Sequence, residues 1–350
     1  MRHAIRLGRM GLLAAGLGLG AALTSTPHVA SADPSTDAYS WLDQVISGLP
    51  AADAAAPLDM QISISGMDLF STVGNTATAN SSFGDIAIAI GSGSNASATG
   101  FGDLSFANGT DASASTGLGG LFDVAIANGD DSSAAGGLAG NFVLAMANGE
   151  NSSAAAGLGG NFVVASASGE GSSATAGAGG NFDISSAVGT DSRADVGIGG
   201  GLNTSFAYGT DSYADAGIGQ GNNAISLGTD SSAIAGAGNN NLALGISGGD
   251  ATAGGVQSIA FADGANSDAQ AIGIGDIASI INTGSGVDSA ISGGDASAPF
   301  SDNDLALIIG TDSTAIAGQG GSWDIAADFG NMLHALATGA NFLFDILPSL

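Results

Sequence analysis

The chain has 350 residues, of which 32 are acidic and four basic, giving a formal charge of −28 at pH 7, and it has no cysteine. A surface this acidic repels phosphate backbones, which excludes nucleic-acid binding. Without cysteine, disulfides and thiolate metal sites are excluded as supports of the fold.

The N-terminus places Arg2, Arg6 and Arg9 ahead of an apolar run from Gly11 to Leu23, and Ala30-Ser31-Ala32 then precedes Asp33-Pro34. That is the pattern of a secretory signal peptide over residues 1–32, with an apolar run too short to span a bilayer. The expected mature chain begins near Asp33, outside the cytoplasm, with no transmembrane span. Cleavage removes three of the four basic residues and no acidic one, leaving Arg193 alone against 32 acids at a formal −31.

Residues 33–57 read as a short helix and linker. Ala38, Trp41, Leu42, Val45 and Ile46 recur at helical spacing behind N-capping residues at Ser35 to Asp37, and Gly48 and Pro50 end the pattern. Met60-Gln61-Ile62-Ser63-Ile64 alternates as a first strand and opens a repeat domain over 58–320.

Its clearest part runs from Phe101 to Gln220 in blocks of twenty, such as NFVLAMANGENSSAAAGLGG and NFDISSAVGTDSRADVGIGG. Columns of identical residues recur at Gly109 through Gly209, Ala107 through Ala207, Ala114 through Ala214 and Gly117 through Gly217. A glycine at every twentieth position marks one backbone turn repeated in each coil. Two short strands and two Gly/Asp/Asn turns fill a block, and glycine and aspartate recur too often for helix interiors. The fold class expected is all-β, a parallel β-solenoid or β-roll of about 20-residue coils with short helices at both ends.

Phe122, Phe142, Phe162 and Phe182 share one position of four successive coils. Strands stack about 4.8 Å apart, so the rings form an axial ladder, expected here as core packing, with the large apolar residues inside. Looser coils precede residue 101 and follow Gly219, and the irregular stretch Asp276 to Ser301 is where a protruding loop is expected. In residues 321–350, Trp323, Ile325, Phe329, Met332, Leu333, Leu336, Ala340, Leu343 and Leu347 follow a period near 3.6, which predicts an amphipathic helix capping the open end of the solenoid.

Catalytic chemistry has little to work with. His334 is the one histidine after Ala32, and neither lysine nor cysteine accompanies it, so an enzyme is not expected. Calcium is the candidate cofactor. Asp111, Asp130, Asp131, Asp191 and Asp211 fall at corresponding corners, and a hard cation needs about six to eight such oxygens. The alternative is that turn Asp and Asn stay solvated and serve local hydrogen bonding. The calcium β-roll nonapeptide is not met, since Gly179-Gly180-Asn181-Phe182-Asp183 lacks its third glycine.

The runs NNAISLGTDSSAIAGAGNNNLALG and NDLALIIGTDSTAIAGQG share the spacing AxxxGxxSxAxxG and resemble coils in the head domains of trimeric autotransporter adhesins. That resemblance implies a parallel β-roll that binds host matrix, and homo-oligomers with it. No stalk heptads or membrane-anchor strands follow. The leader ending ASADP, the lysine-free mature composition and the GGN repeats are similar to secreted mycobacterial glycine-rich proteins of the PGRS type, although the PE helix pair is missing. This second resemblance implies exposure at the cell envelope. The function expected is a secreted or envelope-exposed structural or adhesive repeat protein whose partners are host or envelope surface components, with a calcium-binding β-roll module as the alternative.

Overall fold

The structure is a computed structural model and describes residues 59–348, apart from 138, 158, 178, 198, 283, 285, 294–302, 319–322 and 338–343. The expected signal peptide and N-terminal helix lie outside the described residues.

Each coil contributes one strand to each of two sheets. Val124–Asn128 and Ser133–Ala135 belong to one coil, Leu144–Asn148 and Ser153–Ala156 to the next. Both sheets, A and B, have 16 strands. Leu144 lies beside Val124 and Val164 in sheet A, and Ala154 beside Ala134 and Ala174 in sheet B. Pairing is therefore parallel and in register at the period of the repeat, which makes the fold the parallel β-solenoid that the sequence predicts. Where coils shorten, the turns absorb the difference and the columns stay aligned, as in Thr204 beside Asn223 and Leu242 beside Ile259.

The start of the solenoid departs from this pattern. Met60–Ile64 is a strand as expected, but it pairs antiparallel both with Met67–Ser71 and with Ile86–Ile90. A hairpin thus closes the first edge of sheet A, where a parallel array would present unpaired backbone groups.

The end of the chain corrects an expectation. Residues 321–350 hold no helical cap among the described residues; Ile325–Asn331, His334–Ala337 and Phe344–Pro348 are strands that continue both sheets. The 3.6-residue pattern was a coincidence of spacing. Trp323-Asp324-Ile325 repeats the coil motif Phe182-Asp183-Ile184, and strand alternation puts Ala326 and Asp328 inside.

The interior corrects another. Nearly every buried apolar residue is alanine: Ala125, Ala127 and Ala134 in one coil, Ala145, Ala147 and Ala154 in the next. The large residues of sheet A, such as Val124, Ile126, Leu144 and Met146, face outward and are only half-buried. In the twenty-residue coils the space between the sheets is too thin for them, while in later coils Ile280 and Ile308 do take inward positions. Ser105 Oγ in sheet A donates to Ser97 O in sheet B at 2.6 Å, and Ser205 Oγ to Ala214 O at 2.7 Å, so one hydroxymethyl group crosses the gap. A sequence alternating alanine with isoleucine is apolar on both faces, and steric room decides which face turns in.

The invariant glycines have a matching cause. Gly149 has φ of 148°, and a Cβ there would stand 2.4 Å from the carbonyl oxygen of Gly169 in the next coil. Both the left-handed backbone and the close approach of coils demand glycine.

Ala145→Val overfills the gap and is expected to cost about 1–3 kcal/mol, whereas Met146→Val, one residue away on the outward face, is expected to change stability by no more than about 0.5 kcal/mol. Gly149→Ala is expected to cost more than about 1 kcal/mol. Denaturant unfolding of the three variants checks the assignment of inside and outside.

Candidate functional site

The outward face of sheet A is broad and almost without charge. Three positions of each strand point out, as Ile86, Ile88 and Ile90 do in one coil and Leu305, Leu307 and Ile309 in a later one. From the strand Ile86–Ile90 to the strand Ile325–Asn331, Asp263 is the one charged residue at these outward positions. Sheet B turns the opposite chemistry outward. Ser133, Ser153 and Ser173 line it, followed by Arg193, Asp195, Asp215, Asp250 and Asp268. Arg193 bonds Asp195 at 2.5 Å and lies 5.2 Å above the ring of Tyr213. Sheet A thus carries the more aliphatic face, interrupted by polar residues such as Asn128, Ser166, Ser168 and Ser186, and sheet B carries most of the charge.

A ladder of aromatic rings borders the aliphatic side. Phe122, Phe142, Phe162 and Phe182 stand two residues ahead of the first outward residue of their strands, with ring centroids 5.6, 5.1 and 5.0 Å apart and the last two ring pairs within 5° of parallel. They are not core residues. Each is 48–53% exposed. The sequence-based expectation of a buried stack fails because the ladder sits at a corner, outside the alanine interior. Asn141, Asn161 and Asn181 run alongside, with Asn141 Nδ2 donating to Asn161 Oδ1 at 2.8 Å and Asn161 Nδ2 to Asn181 Oδ1 at 2.9 Å. The two ladders and Leu121 line one shallow groove.

The backbone under the rings is costly for phenylalanine. All four have φ between 57° and 61°, a left-handed conformation that disfavours side chains by about 1–2 kcal/mol per residue. The corresponding corner of other coils is filled by Gly102, Gly221, Asn240, Gly275 and Asn303, residues that adopt it readily, and in three coils by Leu202, Gln257 and Trp323, which bear the same strain. Stacking returns about 0.5–1.5 kcal/mol per ring pair. Strain kept in four consecutive coils, with half of each ring left in water, points to a use other than stability.

The opposite corner explains the turn aspartates. Asp111, Asp131, Asp191 and Asp211 have φ of 54°, 52°, 52° and 51°, and all are exposed. Asp and Asn are the side chains that best tolerate this region, through local hydrogen bonds. Asp130, one residue earlier, accepts from Thr110 N at 2.8 Å through Oδ1 and so ties two coils together. The structure places these five candidates in stacked rows, and among the described residues no group of three or more His, Cys, Asp or Glu side chains is gathered to hold a metal. His334 is exposed on the outward face of sheet B beside Thr314. Among the described residues no helix is long and apolar enough to cross a membrane.

A third column was not singled out by sequence reasoning. Asp85, Asp103, Asp123 and Asp183 are buried side chains immediately before sheet A strands, and each Oδ1 whose coil neighbour is described accepts a backbone N–H from that neighbour. The bonds run from Asp103 N to Asp85, from Asp123 N to Asp103, from Val143 N to Asp123 and from Asn203 N to Asp183, at 2.9–3.0 Å. The signal was present as Asp or Asn recurring at positions 103, 123, 183 and 203, hidden by the equally regular surface acids.

No protein-family model, curated protein or solved structure matches this chain.

Phe162→Gly exchanges ring stacking for an unstrained backbone, and its stability is expected to stay within about 1 kcal/mol of the parent, against the about 3–5 kcal/mol lost when a core phenylalanine is removed. Thermal melting separates the two. For the turn acids, conformational preference accounts for their placement, so melting in EDTA and in millimolar calcium is expected to coincide; a melting point that climbs steeply with calcium would make the corners ligands.

Proposed function

We propose that the chain is a non-catalytic structural and adhesive repeat protein, secreted or exposed at the cell envelope, which engages apolar host or envelope surface components along one side of its solenoid. The observation that carries this reading is the strained, half-exposed phenylalanine ladder at the border of a largely apolar sheet face with a single charge, Asp263, at its outward positions.

Size supports it. With about 3.3 Å per residue along a strand and about 4.8 Å between strands, the outward face of sheet A covers on the order of 800 Å², its polar positions included, and most of its outward residues are apolar. Monomeric soluble proteins seldom leave apolar patches beyond about 300–600 Å² uncovered, and larger ones mark contact surfaces. Shape supports it as well, because a parallel stack presents a flat periodic plane rather than a cleft. Such a plane suits extended contact with another surface and gives little enclosure to a reacting small molecule. The acids on the corners and on sheet B keep the remaining surface hydrated.

The four-site variant Phe122→Gly, Phe142→Gly, Phe162→Gly, Phe182→Gly tests the proposal on alkyl-coated beads at high salt, where charge repulsion is screened. The parent is expected to adsorb, and the variant to adsorb several-fold less while keeping its β circular-dichroism spectrum. Equal adsorption by both proteins would remove the ladder from the contact surface. Negligible adsorption of the parent would remove the adhesive reading altogether.

A further inference from the structure

The buried aspartate column has a feature that its asparagine members explain. In the coils after Asp183 the same position is occupied by Asn203, Asn222 and Asn241, and each Oδ1 again accepts a backbone N–H from the next coil. Their second side-chain atom is a donor. Asn203 Nδ2 donates to Gly219 O at 2.9 Å, Asn222 Nδ2 to Gly238 O at 3.0 Å and Asn241 Nδ2 to Gly255 O at 2.9 Å. In every case the acceptor glycine lies three residues before the next member of the column.

The aspartates put Oδ2 in the same place. By the same offset, the carbonyls facing Asp103, Asp123 and Asp183 are those of Gly120, Gly140 and Gly200. A methyl group built on Gly120 would lie 1.9 Å from Asp123 Oδ2 and 2.5 Å from Gly140 O, so both oxygens converge on one point. On Gly100 the distances are 2.2 Å to Asp103 Oδ2 and 3.2 Å to Gly120 O; on Gly180 they are 1.8 Å to Asp183 Oδ2 and 3.2 Å to Gly200 O. None of the three Oδ2 atoms has a hydrogen-bond partner of good geometry. At Asp123 no side-chain donor approaches, while the Thr116 hydroxyl at Asp103 and the Asn203 amide at Asp183 lie near enough to favour the charged form in part, against the larger effect of burial. A buried carboxylate oxygen facing a carbonyl oxygen gains no hydrogen bond from it, whereas a carboxylic acid there can donate.

We propose that Asp103, Asp123 and Asp183 are neutral carboxylic acids in the folded chain, each donating its Oδ2 proton to the glycine carbonyl of the next coil, so that the solenoid is reinforced by acid and loosened as pH rises.

The surroundings agree. The ionisable groups facing these carboxyls are members of their own column, Asp85 acting on Asp103 and Asp103 on Asp123; Asp183 is flanked by neutral Val163 and Asn203, and the Thr116 hydroxyl faces Asp103. Arg193, the sole basic residue after position 32, is engaged with Asp195 on the outer face of sheet B. Burial pushes all three carboxyls above the ordinary aspartate value, Asp123 to about 6. Because the folded value is the higher one, the folded chain keeps a proton that the unfolded chain releases. The stability this contributes is complete below about pH 4 and is lost as pH rises through about 6, a change for Asp123 of roughly a hundredfold in the folding equilibrium.

The test is the triple variant Asp103→Asn, Asp123→Asn, Asp183→Asn, melted at about pH 5 and about pH 8 in high salt, which screens repulsion among surface acids. The parent is expected to melt at clearly lower temperature at the higher pH. The variant is expected to match the parent in acid and exceed it at the higher pH, because an amide makes the same hydrogen bond without titrating. Infrared spectra at about pH 5 should show a protonated-carboxyl C=O band in the parent that is weaker in the triple variant and unchanged in an Asp111→Asn, Asp131→Asn, Asp191→Asn control. A triple variant that melts below the parent at both pH values, or fails to fold, overturns the proposal. So does an infrared band that the substitutions leave intact. Asp183→Asn alone, which only extends the run begun at Asn203, repeats the infrared test in a minimally altered protein.

Discussion

The solenoid depends on how closely its two sheets approach. With alanine as almost the whole apolar interior, neighbouring coils and facing sheets meet at distances that a serine side chain can bridge. Little apolar area is buried per residue, so stability rests on repetition, each coil completing the hydrogen bonds and contacts of the one before. The same closeness removes freedom elsewhere. Glycine is required where one coil's backbone would strike the next, and most large aliphatic residues are carried on the outside, Ile280 and Ile308 being inward exceptions in the later coils.

That displacement creates the surface on which the functional reading rests. In most β-proteins an aliphatic sheet face becomes a core; here it stays uncovered because the core is already filled. The phenylalanine ladder extends the surface at a corner where glycine or asparagine would be easier. Acids concentrate on the other faces, so solubility and contact are separated around the circumference of the coil.

Left-handed backbone at two corners accounts for much of the remaining sequence. At one corner it selects Asp111, Asp131, Asn151, Asp191 and Asp211; at the other it accepts Gly102 or Asn240, in four coils phenylalanine, and in others Leu202, Gln257 or Trp323. Acids at exposed corners and acids of the buried column look alike in sequence, yet their chemistry differs. The exposed ones meet water, whereas those at 103, 123 and 183 are buried, each accepting a backbone N–H of the next coil.

The sequence by itself determined the period, the class of fold and the turn positions, because those follow from backbone geometry: an invariant glycine every twenty residues, Asp or Asn beside it, and helix-poor strands between. It also showed which alanines are sterically required, since Ala107 through Ala207 never vary. Which face turned inward was left to the tertiary structure, because strands such as Ile86–Ile90 are apolar on both sides and only the room between the sheets at that coil decides for alanine. The same holds for the terminal strands mistaken for a helix, where pairing with Leu305–Thr311 outweighs a spacing that fits either structure. The phenylalanine ladder and the aspartate column were visible as periodic letters. Their exposure, and the carbonyl facing each buried carboxyl, exist only when coils stack, since every one of those contacts joins residues a whole turn apart.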